Sequence, residues 1–248
     1  MGTHAALSDE RLVTEIDSAA AGIRAELERL TDDSVGQPSE LPGWTRGHVL
    51  AHIQGICTAM ARQVEYARRG EKVELYEGGY EARNRAIEDG AVATADQHRD
   101  RVGAALDRAL GQLAAIEPGD WDRPITYRNG VVRDGGYALW RELVIHHSDL
   151  GTGCTQQEWS EDFCRHVLGF LEPRVPAANT FVLRSDRGGP IRLGSGGDEV
   201  LVDGRLQDLA AWLAGRPTGH GAVRAERGGE AVPLPEIGPW PSAGVPAA

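Results

Sequence analysis

The sequence predicts an α+β protein: a four-helix bundle over residues 1–155, then a small α+β domain over residues 156–248 that closes in a proline-rich tail. Long segments of the first part repeat apolar residues at helical spacing between capping residues. After Gly153 the pattern changes to short apolar runs set between glycines, which read as strands. The length, 248 residues, suits one large domain or two small ones.

The elements follow in order. Ser8 can cap a helix with Asp9 and Glu10 in its first turn, where acidic groups oppose the helix dipole. Leu12, Ile16, Ala19, Ile23, Leu27 and Leu30 then place a helix over about residues 9–31. Gly36, Pro38, Pro42 and Gly43 break the chain. Thr45 caps a second helix that runs to about Arg69 and stops at Gly70, with Val49, Ile53, Ile56, Met60 and Val64 inward. Residues 71–93 read as a loop with a short helical piece near 80–87. Thr94 caps a third helix that buries Val102, Leu106, Leu110 and Leu113 and ends by Pro118. Asn129-Gly130 is a hairpin-turn signal between two apolar runs. A fourth helix is expected from about Gly136 to Leu150. In the second part a helix is expected over 160–171, strands over 181–183, 191–193, 200–202 and 222–225, and a helix over 206–213. The tail from Pro233 is expected to be loose.

Composition excludes several classes. Hydrophobic residues make up 41% and charged residues 25%, values of a chain with a core rather than a disordered one. A net charge of -11 argues against a nucleic-acid partner, since phosphate binding relies on clustered Lys and Arg. It leaves room for a small anionic substrate, because a few arginines inside a pocket can oppose the global field. No run approaches ~20 apolar residues, so no membrane span is expected. Residues 1–10 lack the apolar centre of a signal peptide, and the protein is expected in the cytoplasm. Cys57, Cys154 and Cys164 form no C-x-x-C pair and are expected as reduced structural thiols. No protein partner is predicted.

The chemistry-bearing residues are paired on helices. Glu142 and His146 are four apart, so their side chains share a face. Alone, such a pair reads as a surface ion pair. Its setting among Leu139, Trp140, Leu143, Val144 and Ile145 argues for a less solvated face, and the spacing is that of helical zinc sites. His147 is rotated about 100° away and should face elsewhere. His48 and His52 repeat the spacing on the second helix. Two such pairs raise the prospect of a metal site between helices, though spacing alone leaves open whether one or both of these histidines ligate. Asp149 is expected to orient a neighbour rather than to bind metal. Trp44 and Trp140 read as core residues or pocket walls.

LPGWTRGHVLAH over residues 41–52 and RELVIHHSDLG over 141–151 resemble the mycothiol-dependent maleylpyruvate isomerases, within the wider DinB-like metal-binding four-helix family. EARN at 81–84, VDG at 202–204 and WLAGR at 212–216 extend the resemblance, in order, over nearly the whole chain. It implies a C-terminal domain similar to sterol carrier proteins. It also implies a metal site, zinc or another divalent ion, on His52, Glu142 and His146, with His48 a neighbour only. Arg83 and Arg216 are implied to face the site and grip substrate carboxylates, a role suited to a guanidinium fork. The implied partners are mycothiol and a small anionic substrate. The implied reaction is the cis–trans isomerisation of maleylpyruvate to fumarylpyruvate, in which the thiolate adds to the double bond, the bond rotates and the thiolate leaves. Two alternatives stand beside it: a mycothiol-dependent S-transferase acting on another electrophile, and a non-catalytic metal-dependent binding or regulatory protein.

Overall fold

The computed structural model of the protein describes residues 7–241, which fall into two compact units, 7–155 and 156–241. The first six residues, part of the segment read as lacking a targeting signal, and the end of the proline-rich tail lie outside the described residues. Among the described residues no helix is long and apolar enough to cross a membrane.

The first unit is built on caps that the sequence announces. Ser8 Oγ accepts from the Arg11 amide at 3.2 Å and starts α1, Asp9–Leu27. Its buried stripe is Leu12, Ile16, Ala20, Ile23 and Leu27, so Ala20 takes the inward place expected for Ala19. The helix stops four residues short of residue 31. Arg29 and Leu30 close tight turns on Glu26 and Leu27, and Thr31 already caps a short second helix, α2, Asp32–Val35. Thr45 caps α3, Arg46–Arg68, in a reciprocal box: its hydroxyl accepts from the His48 amide, and His48 Nδ1 accepts from the Thr45 amide at 3.2 Å.

Three differences from the sequence reading are local. The short piece near 80–87 is a longer helix, α4, Gly79–Ala91, packed closely on α3. A Cβ on Gly90 would lie 2.9 Å from Ala51 Cβ, and one on Gly47 would collide with the Ala91 carbonyl, so these glycines let the backbones approach. After α5, Ala95–Ala114, the hairpin signal yields no strands, only the isolated bridge Pro124↔Val131. The turn also slips by one residue, with Arg128 and Asn129 both at φ 53. Finally α6, Val132–Asp149, begins before Gly136, because Gly135 and Gly136 sit inside the helix where Ile125 and Leu12 press against it. The four long helices close a ring: α1 lies against α5 and α6, and α3 lies against the same two. This is the bundle, and α3 and α6 are neighbours in it.

The second unit opens with α7, Glu161–Phe170, capped by Ser160. A five-stranded sheet follows in the order β2-β1-β3-β4-β5, from β1 Asn179–Ser185, β2 Ile191–Leu193, β3 Asp198–Gly204, β4 Val223–Arg227 and β5 Glu230–Val232. β1 and β3 pair in parallel and the other neighbours antiparallel. Helix α8, Leu206–Leu213, lies against α7 and the sheet over Phe181, Leu183, Val200 and Val202. β5 is absent from the sequence reading; Gly228 and Gly229, at φ 60 and 86, form the two-residue turn that pairs it with β4. The described part of the tail is tied rather than loose. Gly238 exchanges hydrogen bonds with Arg174, and the Trp240 ring stands 6.0 Å from that of Phe170.

Candidate metal centre

Three of the expected site residues converge between α3 and α6. One ligand atom from each of His52, Glu142 and His146 falls within 4.8 Å of the others. Glu142 Oε2 accepts from His52 Nε2 at 2.8 Å and lies 3.1 Å from His146 Nε2. Four-residue spacing on α6 puts Glu142 and His146 one above the other, and the α3–α6 contact brings His52 opposite. The two imidazole rings meet edge to face, 4.5 Å apart. Trp44, just before α3, closes one side with its ring 6.0 Å from His52, whereas Trp140 is core.

Each ring has a different second partner. Asp149, fully buried, accepts from His146 Nδ1 at 2.9 Å. It orients a neighbouring side chain, as the sequence reading expects. His52 Nδ1 instead faces the Arg83 guanidinium at 3.0 Å. Arg83, from α4, also donates to Asn84 Oδ1 at 2.9 Å and stands 5.9 Å from the Tyr76 ring.

These contacts fix the charges. Burial disfavours an ionised Glu142, but the hydrogen bonds from His146 and His52 outweigh it and hold its pKa well below the usual value. Burial also opposes charge on His146, yet Asp149 and Glu142 raise its pKa to about 9. His52 shifts the other way, lowered first by burial and then by His146. His146 thus stands between two carboxylates, Glu142 and Asp149. Two imidazoles and a carboxylate are a donor set suited to zinc, and with three protein ligands one position stays open. The residues present fit a divalent metal.

The other histidines are elsewhere. His48 caps α3, and its Nε2 lies 3.4 Å from Glu88. His147 turns toward α1: a Cβ on Gly22 would lie 2.8 Å from its ring, and its Nε2 is 3.9 Å from Glu26. Arg216 belongs to the second unit, where it donates to the Ala214 carbonyl at 3.0 Å and stands 5.9 Å from the Trp240 ring. Cys57 and Cys164 are buried thiols pushed up to about 12, so neither is a ready nucleophile. Sequence reasoning passed over Tyr76 and Arg141. Tyr76 comes from an aperiodic loop. Arg141, buried with Nη2 3.4 Å from the Tyr127 hydroxyl, could have been noticed as a cation on an apolar stretch of α6.

The family model of the mycothiol maleylpyruvate isomerase N-terminal domain matches residues 16–151, and that of the corresponding C-terminal domain matches 158–235. The chain belongs to the mycothiol maleylpyruvate isomerase family. The first match spans the bundle and all three candidate ligands, and the second spans the sheet. Two solved structures share the fold: a crystal structure of the mycothiol-dependent maleylpyruvate isomerase and one of a histidine-to-alanine mutant of it. Each is 24% identical to this chain, with a TM-score of 0.81 over 93% of this chain and 96% of the other. No curated protein matches the chain.

Proposed function

We propose that this chain is a cytoplasmic maleylpyruvate isomerase that uses mycothiol and one divalent metal, zinc by preference, held by His52, Glu142 and His146. The observation that carries the reading is the convergence of these three side chains on one point between α3 and α6, in a chain of this family. When bound, the metal supplies a Lewis acid that keeps a thiol ionised near neutral pH, and the thiol supplies a nucleophile that adds reversibly to the cis double bond.

The chain's own residues set the geometry. Asp149 fixes the His146 ring with Nε2 toward the centre. Trp44 shields the His52 side. Arg83, whose guanidinium pairs with no carboxylate among the described residues, is suited to grip a substrate carboxylate bidentately. Arg216 is proposed to hold the second carboxylate. A dicarboxylate substrate favours the isomerase over an S-transferase.

Turnover of maleylpyruvate by zinc-loaded protein tests this, with mycothiol present or withheld. Fumarylpyruvate should form only when thiol and metal are both present. Full turnover without the thiol, or after chelation, would overturn the reading. Dependence on both with another electrophile but not with maleylpyruvate would leave the S-transferase.

A further inference from the structure

We propose that Trp240, in the C-terminal tail, is a positioning residue for Arg216: its ring holds the guanidinium through its charge and leaves the N–H edge to a substrate carboxylate. The inference rests on the reading of Arg216 as a carboxylate grip and says how that side chain is aimed.

The backbone of Arg216 is fixed by the end of α8. Gly215, at φ 70, takes the left-handed place after the helix. Its amide donates to the Trp212 carbonyl at 2.9 Å, and the Arg216 amide donates to the Ala211 carbonyl at 2.8 Å. These two bonds are the paired closure of a glycine-terminated helix. The arginine side chain beyond is long and rich in rotamers, and a grip works best when that freedom is removed beforehand. Its Nη1 reaches back to the Ala214 carbonyl at 3.0 Å, and the guanidinium carbon stands 5.9 Å from the centre of the Trp240 ring. A ring face attracts a guanidinium electrostatically, without accepting the pair of hydrogen bonds that a carboxylate takes.

Arg174 shows the opposite use of the same ring. Its guanidinium carbon lies 5.7 Å from the Trp240 centre. Its donors, however, go to the main chain: Nε to the Gly238 carbonyl at 2.8 Å and Nη1 to the Leu213 carbonyl at 2.6 Å. The Gly238 amide returns a bond to the Arg174 carbonyl at 2.7 Å. Arg174 thus ties the tail to the end of α8, and the tie delivers Trp240 to the Arg216 side chain. Phe170 on α7 backs the ring at 6.0 Å. The two cations feel each other, since Arg216, after burial, lowers the pKa of Arg174. The electron-rich ring face beside both offsets that repulsion. One arginine is committed to holding the tail, and the other is presented by it.

Steady-state kinetics of the zinc-loaded enzyme test this on wild type, Trp240→Leu, Trp240→Phe, Arg216→Ala and the Arg216→Ala/Trp240→Leu double variant. Trp240 is 37% exposed, so these changes take little from the core, and thermal melts verify that each protein is folded. Trp240→Leu should raise KM for maleylpyruvate about threefold to tenfold, the scale of one cation–π contact. Its kcat, its KM for mycothiol and its zinc content should stay at wild-type values. Phe restores a ring face and should recover most of the loss. In the Arg216→Ala background the Leu change should add nothing, because the two residues act as one unit. An unchanged KM in Trp240→Leu beside an impaired Arg216→Ala would overturn the proposal and leave the grip standing. So would a Phe variant as poor as Leu, an equal penalty with and without Arg216, or a parallel loss for substrate and thiol, which is the mark of a damaged domain. Wild-type kinetics in Arg216→Ala would instead remove the carboxylate grip, and no turnover of maleylpyruvate by the wild type would remove the isomerase reading. The role of Trp240 would fall with either.

Discussion

The two halves of the metal centre are built by opposite rules. The α6 half is self-contained: Glu142, His146 and Asp149 stand within two turns of one helix, and His146 lies between two carboxylates. The α3 half is assembled from distant parts, with His52 on α3, Arg83 on α4 and Trp44 ahead of the helix. A site made of one helix is fixed as soon as that helix forms. A site made of three segments is fixed only by their packing, and its contacts can rearrange without unfolding anything. The α6 half is therefore the rigid seat for a cation and the α3 half its adjustable side.

Removing each histidine breaks this comparison most severely. His52→Ala and His146→Ala should both lose most bound zinc, read by metal analysis of purified protein. Their stabilities should differ. His146→Ala leaves the fully buried Asp149 without its cationic partner, which costs about 3–5 kcal/mol in the metal-free protein. His52→Ala leaves Glu142 paired with His146, and should cost roughly 1 kcal/mol, the ordinary value for a point substitution. Denaturant melts of the metal-free variants decide it. Equal losses would mean that the α6 half is not the rigid one.

Asp149→Asn is the milder probe. It keeps shape but weakens the acceptor at His146 Nδ1, and zinc affinity should fall about 10–100-fold, the usual range for such supporting partners. Wild-type affinity in the Asp149→Asn variant would show that the ring needs no orienting partner.

The same contrast explains what the sequence made legible. Caps at Ser8, Thr45 and Thr94 are local, and each begins a helix where expected. The 142/146 spacing is local too, and so is the turn of His147 away from the centre. Gly135 and Gly136 mislead because glycine reads as a breaker, whereas here its missing Cβ makes room for Ile125 and Leu12 inside the helix. β5 escapes the sequence reading because three residues carry too little pattern, although the Gly228-Gly229 turn is in view. The Arg83–His52 contact joins residues 31 apart in sequence, so no periodicity could reveal it. The resemblance supplies what spacing leaves open, namely that His52 and not His48 is the candidate ligand.

A third histidine extends the comparison to a ring with no protein partner. His98 on α5 is 1% exposed, and neither ring nitrogen has a hydrogen-bond partner. Burial, with a contribution from nearby Arg101, lowers its pKa from 6.5 to about 4. The sign follows from linkage. Between those values the unfolded chain binds the proton and the folded one does not, so stability is complete above about pH 6.5 and falls as the pH drops toward 4. His146 has the opposite sign in the metal-free protein, since its stabilisation is complete below 6.5 and is lost as the pH rises through about 9. Zinc loading should erase the His146 limb and leave the His98 limb untouched. His98→Leu should flatten the acid limb, with a gain over wild type of roughly 1–3 kcal/mol near pH 4. At pH 7 it should be neutral or slightly stabilising, because a buried polar ring without a partner is replaced by an apolar one. Thermal melts of zinc-loaded wild type and variant across pH 4–8 measure this difference. If the two curves run parallel, the His98 ring is solvated or hydrogen-bonded in solution, and the acid sensitivity of the bundle has another source.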